Sequence, residues 1–260
     1  MASIDLAALA QAVRQKDYGA QLVARQGGAD AVDALAPLLA DADEEVRELA
    51  VHCMAETGDP RAGDALVQLT VDSDPQVAMA AARAMHRLGG ARSVPALLAA
   101  LPRSDEPLVR RELGMAIGRF AGPGKIPDLR ERLAEEQSPV AHQGILAALA
   151  RMGDDPSREA FAAALSETGG MARKPWLDLA EYIEQPWLIT PLGVVLDDPT
   201  PVLRVGVDAR PDLIQALRAC DLAVVLIAKL GAATFSFPVT RAKNYSAEEI
   251  SEVKRFAGAA

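Results

Sequence analysis

The feature that most constrains the fold of this chain is a unit of about thirty-one residues that recurs through the first 185 positions. Each unit ends on a glycine, with steps of 31, 31, 33 and 31 residues between Gly27, Gly58, Gly89, Gly122 and Gly153. A valine that follows an acidic or proline-containing turn keeps the same period, at Val46, Val77, Val109 and Val140. A period of this length indicates stacked repeats, in which each unit buries its apolar face against its neighbours.

Residues 30–58 show what one unit contains. Leucines at helical spacing occupy its first part, and an acidic stretch at 41–45 interrupts them. An apolar pattern of the same spacing resumes at Val46 and stops at Gly58, where a left-handed helix cap is favourable. Each unit is therefore predicted to be a pair of helices of roughly ten to twelve residues.

Four stretches carry a family resemblance: Glu-Glu-Val-Arg-Glu-Leu-Ala at 44–50, Arg-Leu-Gly-Gly at 87–90, Ala-Arg-Ser-Val-Pro-Ala-Leu-Leu at 91–98 and Pro-Leu-Val-Arg at 107–110. They resemble HEAT-like repeats of the phycobilisome-lyase type, over about residues 1–185. The resemblance implies a mainly all-α fold, a right-handed α-solenoid of about five HEAT-like helical pairs. It implies little about activity, because such repeats serve scaffolds, lyases, hydroxylases and glycosylases alike.

Two units depart from that pattern. Val77 is followed by Ala78 and Val140 by Ala141, where the family has arginine, so the arginine ladder is predicted to be incomplete. The unit after Gly153 is also irregular, as is common for a repeat that caps a stack.

Residues 186–260 change character and predict a small α+β C-terminal domain with the order β-β-α-β-β-α. The predicted strands are the β-branched runs at 192–196, 202–207 and 222–228 and the alternating stretch at 235–240. Helical spacing after Pro211 predicts one helix, and a capping box at 246–249 opens a last helix to about Phe256. A rival interpretation joins 212–230 into one buried helix and makes this region another irregular repeat.

The charge is distributed unevenly. The net charge is −9, and because acids and bases balance in 186–260, the excess lies entirely in the repeats. An acidic solenoid repels phosphate, which argues against a nucleic-acid partner and favours a protein with a basic surface. Solvation of the outer face is the simpler explanation of the same acids.

Other features place the chain outside membranes. No apolar run is long enough to span a bilayer, and 1–9 lacks the basic start of a secretory leader, so we expect no membrane association. Cys53 and Cys220 stand in apolar settings and are predicted to be buried free thiols, which fits a cytoplasmic protein. The oligomeric state does not follow from the sequence.

A search for catalytic patterns predicts neither a catalytic residue nor a cofactor. The three histidines occupy different positions within their units, and no metal-binding spacing, phosphate loop or nucleophile elbow occurs. Histidine–glutamate dyads repeated along a HEAT stack would indicate a di-iron hydroxylase, yet no adjacent His-Glu pair occurs in the sequence.

The candidate site is the set of polar residues on the second helix of each pair, which usually lines the concave wall of such a stack. These residues are Arg111, Glu112, His142, Gln143, Arg83, His86, Glu48 and His52. We expect Arg47 and Arg110 to have a structural role instead. In such a turn an arginine pairs with an acid of the adjacent unit, for instance Asp43 or Asp105, and holds the stack together.

Three aromatic residues, Trp176, Tyr182 and Trp187, stand at the predicted domain junction. They form either a core seam between the domains or an aromatic anchor for a partner.

Two functions follow. The favoured one is a non-catalytic protein–protein interaction module, an adaptor, scaffold or inhibitor that holds a protein partner on the concave face. The alternative, which the resemblance implies, is a bilin-lyase-like enzyme or a chromophore assembly factor, in which Arg110 and Arg111 would clamp the two propionates of a tetrapyrrole.

Overall fold

The computed structural model describes residues 4–207 and 210–258, and for residues 206–207 and 210–214 the backbone alone. Within these residues the fold is mainly α-helical, with one two-stranded sheet near the C-terminus. The chain divides into two compact units, Met1–Met152 and Gly153–Ala260. The predicted boundary at residue 185 lies inside the second unit, and separate folding of 186–260 stays a prediction.

The first unit is built from nine described α-helices. They are α1 (Leu6–Arg14), α2 (Ala20–Leu35), α3 (Glu44–Thr57), α4 (Pro60–Leu66), α5 (Pro75–Leu88), α6 (Val94–Ala100), α7 (Pro107–Phe120), α8 (Ile126–Glu135) and α9 (Pro139–Met152). Short 3-10 segments flank them at Ala36–Ala40, Val67–Val71, Ala91–Ser93, Leu101–Arg103 and Pro123–Lys125. Because α2 is broken at Gly28, its first half closes one pair and its second half opens the next, which makes five helical pairs within residues 4–152.

The second helices of successive pairs pack on one another in sequence order, from α2 through α3, α5 and α7 to α9. The buried side chains of these helices are mostly alanine, valine, leucine and methionine. Helices α7 and α9 approach most closely at two glycines. A Cβ at Gly144 would lie 2.5 Å from Arg111 Cγ, and one at Gly114 would lie 2.8 Å from Ile145 Cγ1. Small residues therefore set the spacing of the stack.

The glycine period reflects two different requirements. Gly58 adopts the predicted left-handed conformation, with φ of +67°, and Gly153 also has a positive φ, +98°. Gly89 and Gly122 do not share this conformation, since their φ values are −63° and −81°. At Gly89 the requirement is space, because a Cβ would lie 2.7 Å from Phe120 Cε2 in the next helical pair.

In the last helical pair of the first unit, the buried position at the helix start lies one residue after the valine. Val46, Val77 and Val109 are buried near the start of their helices, as predicted. In α9 the buried position is Ala141, whereas Val140 is 40% exposed. The residue after the buried position, which is arginine in the family pattern, is therefore His142 and not Ala141.

The second unit contains the remaining described elements. They are α10 (Asp155–Glu167), α11 (Lys174–Ile183), α12 (Ile189–Val195), the strands β1 (Pro201–Val207) and β2 (Arg210–Arg218), α13 (Ala219–Leu230) and α14 (Ala247–Ala257), with 3-10 segments at Gly170–Arg173 and Pro186–Leu188. Strands β1 and β2 pair antiparallel, with Arg204 opposite Ala216.

The predicted order of elements in this region is wrong in four places. The predicted strands at 192–196 and 222–228 are the helices α12 and α13, because buried apolar runs fit either structure and helix packing decided here. The helix predicted after Pro211 is strand β2, and 235–240 forms no strand. The last helix is confirmed, since Ser246 and Glu249 form the expected capping box at the start of α14.

Helices α12 and α13 form another helical pair, with the hairpin inserted in the turn between them. Helix α12 packs on α10, and α13 packs on both α11 and α12. Where the hairpin begins and ends, the Ala219 amide donates to the Thr200 carbonyl (2.9 Å) and the Cys220 amide to the Asp198 carbonyl (3.0 Å). The rival interpretation is therefore right that 219–230 is helical and wrong for 212–218, which belong to strand β2. A separate domain over 186–260 stays a prediction.

Candidate functional site

The turn within each helical pair has a polar structure of its own. In the first unit, Arg47 Nη1 donates to the Asp41 carbonyl of its own turn (2.9 Å). Its Nε and Nη2 donate to both carboxylate oxygens of Asp72, at 3.0 and 2.8 Å, in the turn of the next pair. Arg47 therefore joins two consecutive turns, as predicted, but its acid is Asp72 rather than Asp43.

Arg110 repeats this arrangement two pairs later. Its Nη1 donates to the Ser104 and Asp105 carbonyls, both at 3.0 Å, and its Nε and Nη2 donate to Glu136 at 2.8 and 2.9 Å. Here too the acid differs from the predicted one, because the Asp105 side chain is not the partner. The hydrogen bonds from Arg110 hold the pKa of Glu136 below its ordinary value, although partial burial opposes this.

A third bridge of the same kind, in the second unit, escaped the sequence analysis. Arg173 donates to Asp198 and to the Ser166 carbonyl, and both side chains of the Arg173–Asp198 pair are about nine-tenths buried. A signal for it exists in the sequence. Arg47, Arg110 and Arg173 are spaced 63 residues apart, and an acid follows each of them after 25 or 26 residues. We call these three pairs the turn staples.

Helices α5 and α9 have no arginine at the position that Arg47 and Arg110 occupy, which we call the staple position. Where α5 has Ala78, a cavity of about 190 Å³ remains between the turns, lined in part by Asp72 and Ser104. In α9 the staple position holds His142, which places this candidate residue at the turn, in line with Arg47 and Arg110.

The other candidate residues of α3 and α5 form the walls of a groove. This groove has a volume of about 290 Å³ and an apolar floor of Ala55, Ala80 and Ala84. Its polar lining consists of Glu48, His52, Gln76, Arg83 and Arg87. His52 Nε2 lies 3.5 Å from a Glu48 carboxylate oxygen. Arg83 is exposed, and no described residue forms a hydrogen bond or an ion pair with it.

Candidate residues of α5 and α7 meet next to this groove. His86 Nε2 lies 3.0 Å from Glu112 Oε2 and 3.1 Å from the Glu112 carbonyl oxygen. Both neighbours are acceptors, so Nε2 carries the hydrogen. Arg111 Nη1 donates to the other carboxylate oxygen of Glu112 (2.7 Å). The contact between His86 and Glu112 could not be predicted from adjacent residues, because the stacking of helices brings together two residues that are 26 positions apart.

The electrostatics of Glu112 follow from these contacts. Its side chain is only 13% exposed, and burial opposes its ionisation. The hydrogen bond from His86 and the charges of Arg111 and Arg83 outweigh burial, so the pKa of Glu112 lies below its ordinary value. Glu112 is thus a buried carboxylate that orients Arg111 and His86 rather than an exposed contact.

We call the groove and this cluster the second-helix surface. It contains six of the eight candidate residues: Glu48, His52, Arg83, His86, Arg111 and Glu112. Gln143 lies on α9 beside Gly144, where α9 meets Arg111. The sequence therefore placed these residues on second helices, but it did not show which side chains contact each other, and their role as a binding site stays a prediction.

Of the three aromatic candidates, Trp176 belongs to the core of the second unit, whereas Tyr182 and Trp187 are half-buried. Trp176 is 8% exposed and meets Phe161 edge-on, with ring centroids 5.3 Å apart. Trp187 contacts the same Phe161 ring at 6.2 Å. An anchor role is wrong for Trp176, because its ring is enclosed by its own unit.

The described residues also limit other kinds of site. Across 4–207 and 210–258, no group of three or more His, Cys, Asp or Glu side chains is close enough to hold a metal ion. No helix in the described part of the chain is both long and apolar enough to cross a bilayer. Cys53 and Cys220 are buried free thiols, as predicted, and burial raises the pKa of Cys53 to about 12.

Stacked helical pairs joined by polar turns define this molecule as an α-solenoid. It belongs to the HEAT repeat family, whose model matches residues 7–76 and 63–150, together more than half of the chain. The chain is similar in fold to a chain in the complex of CpcE and CpcF of phycocyanin lyase from Nostoc sp. PCC7120. This match has a TM-score of 0.55 and 15% identity and covers 99% of this chain and 96% of that one.

A second solved structure, human deoxyhypusine hydroxylase in complex with glycerol, matches with a TM-score of 0.37 and 18% identity, over 97% of this chain and 94% of that one. A score this low carries no argument about fold or function. No curated protein matches the sequence significantly.

Proposed function

We propose that this protein is a non-catalytic interaction module, an adaptor, scaffold or inhibitor that binds a protein partner on its second-helix surface. The observation that supports this most is Arg83, an exposed arginine beside a groove with an alanine floor, with no hydrogen bond or ion pair to any residue that the structure describes. Neither the apolar packing nor the turn staples use this side chain. Arginines beside a shallow apolar surface are typical of protein interfaces.

The contacts have different roles in this proposal. Glu48, His52 and Arg83 contact the partner directly, since they line the groove. Arg111 contributes a further charge at its edge, and Glu112 positions it. His142, at the staple position, and Gln143 are secondary contacts on α9.

Site-specific photo-crosslinking in an extract of the native organism tests the proposal. A photoreactive amino acid replaces Arg83 in one variant and Arg92 in the control, which is 78% exposed and lies outside the second helices. We expect one protein to be crosslinked from position 83 and not from position 92, identified by mass spectrometry. Equal crosslinking from both positions, or none from position 83, would contradict the assignment.

A chromophore-lyase-like role is the second candidate. Its support is the likeness of fold to the phycocyanin lyase complex, which covers almost the whole chain. Arg110 uses Nε, Nη1 and Nη2 and cannot hold a propionate without giving up Glu136, whereas Arg111 donates only Nη1 to Glu112 and would remain as the clamp. Co-expression with a bilin and a candidate acceptor protein tests this role. A colour that survives denaturation of the acceptor would support it, and an uncoloured acceptor would not.

A further inference from the structure

The second helices do not share the acidic character of the whole chain. Helices α5, α7 and α9 carry six arginines and a single acid, Glu112, although the net charge of the protein is −9. By contrast, α3 carries four glutamates and one arginine. A partner responds to the charge near its contact surface, because salt screens exposed charges beyond about 8–10 Å. The net charge of the whole chain therefore does not give the charge that a partner meets at the second helices.

Most acids near these arginines are already engaged. Glu112 is bound by His86 and Arg111. Glu56 is bound by Arg25 and lies 3.5 Å from Arg87, whose side chain is 59% exposed. Glu48, on the opposite wall of the groove, is the one groove carboxylate that faces His52 instead of an arginine. The excess charge at the groove is therefore positive, and it belongs to Arg83 and Arg87.

The spacing of the arginines limits what fits them. Arg83 and Arg87 are four residues apart on α5, so their side chains leave the helix about 6 Å apart. Arg111 is on α7, and neighbouring helices lie about 8–10 Å apart. In an extended segment, every second side chain points the same way, at intervals of about 7 Å. Carboxylates at alternate positions of such a segment match these arginines, and the alanine floor admits its backbone.

We propose that the partner presents an acidic, extended segment of aspartates or glutamates, which binds in the α3–α5 groove with its carboxylates on Arg83, Arg87 and Arg111. This deepens the proposed function and rests on it. It reverses the partner charge predicted from the net charge of −9. Such charge complementarity sets partner choice and association rate.

Fluorescence anisotropy with labelled peptides tests the proposal on the full chain. The acidic probe alternates glutamate with leucine, the basic probe has lysine for each glutamate, and a random DNA duplex is the third probe. The test variant is Arg83→Glu with Arg87→Glu. The matched control is Arg92→Glu with Arg103→Glu, which changes the net charge equally at exposed positions outside the second helices. Circular dichroism verifies that both variants remain folded.

We expect the acidic probe to bind, to bind more weakly at higher salt, and to lose about tenfold in affinity in the test variant but less than about twofold in the control. Equal loss in both variants would overturn the proposal, as would no binding of the acidic probe. If the basic probe binds, and Glu48→Ala weakens that binding, the partner segment is basic and the proposed acidic segment is wrong. The second-helix surface would then remain the interface. Tighter binding of the duplex than of the acidic peptide would overturn both the acidic segment and the protein partner.

Discussion

The turn of a regular pair and the turn of the α12–α13 pair differ greatly in length yet are closed in the same way. In the regular pair, 3-10 residues and a few turn residues connect α4 to α5, and Asp72 accepts both Arg47 and the Asp74 amide. In the other, the hairpin 201–218 intervenes, yet Asp198 still accepts an arginine and the Thr200 amide. The polar geometry of the turn thus persists when an insertion hides the sequence period.

This comparison explains the division predicted at residue 185. The last glycine and valine markers are Gly153 and Val140, and the hairpin sequence beyond residue 185 suggests a different fold class. The staple spacing, which does not depend on the markers, continues through Arg173 and Asp198. Repeat proteins tolerate such insertions because they extend from one face of a unit and leave the stacking surfaces unchanged.

The largest expected effect comes from deletions in the regular region. Deleting 60–90 removes one whole pair, so α3 meets α7 through equivalent surfaces and the protein should remain soluble and helical. Deleting 60–74 removes only the first helix and its turn, and should unfold the first unit. Circular dichroism and size-exclusion chromatography distinguish the two. Similar behaviour of both deletions would mean that the repeat boundaries are misplaced.

The turn staples should contribute equally in both regions if their equivalence is real. Arg110→Ala leaves Glu136 part-buried without its partner, and Arg173→Ala does the same to Asp198. We expect each to cost about 3 kcal/mol in the free energy of unfolding, as for other broken buried pairs. Urea titration measures both, with the exposed Arg92→Ala as control. If Arg173→Ala lowers the free energy of unfolding by less than about 0.5 kcal/mol, as a surface substitution does, the Arg173–Asp198 pair is not equivalent to the other staples.

Removal of the hairpin tests whether the α12–α13 pair is closed like the regular pairs. Replacing 202–216 by two glycines should leave the α12–α13 pair intact, since Thr200 and Ala219 already meet at 2.9 Å. The loss should be about 1–3 kcal/mol, because Val202 is buried and Leu217 loses its strand neighbour. Thermal unfolding followed by circular dichroism provides the measurement. Loss of a cooperative transition would show that the hairpin belongs to the core.

Acid should weaken the staples of both regions together. In Asp72 and Asp198 burial opposes ionisation, but the arginine and turn hydrogen bonds prevail, so both pKa values lie below the ordinary one. A lowered folded-state pKa contributes stability that is present at neutral pH and is lost as the pH falls below about 4. Urea midpoints measured between neutral pH and the acid range test this. Asp198→Asn should flatten the profile, and an unchanged profile would contradict the assignment.

The smallest effect concerns the missing staple at Ala78. Ala78→Arg with Ser104→Glu places an arginine and an acid 26 residues apart, as in Arg110 and Glu136, beside a cavity of about 190 Å³. We expect the double variant to gain about 1 kcal/mol, and each single variant to gain nothing. A double-mutant cycle in urea measures the coupling. Additive single effects would show that the cavity does not accept the side chain.

Much of the fold follows from local patterns. The period of about thirty-one residues, the assignment of second helices and the structural role of Arg47 and Arg110 need only helical spacing and turn chemistry. The capping box of α14 is equally local, since Ser246 and Glu249 are three residues apart. Such features can be predicted from the sequence because their causes lie within one turn or one helical pair of the chain.

Tertiary packing decided the rest. The run 222–228 favours a strand by its β-branched residues, yet α13 is helical because Ala223, Val224 and Ile227 are buried between helices, and packing outweighs local propensity. The choice of Ala141 over Val140 as the buried residue of α9 depends on what the helix packs against. The pairing of His86 with Glu112, and with it the excess of positive charge beside the groove, exists only after consecutive pairs have stacked, because no local pattern links residues on different units.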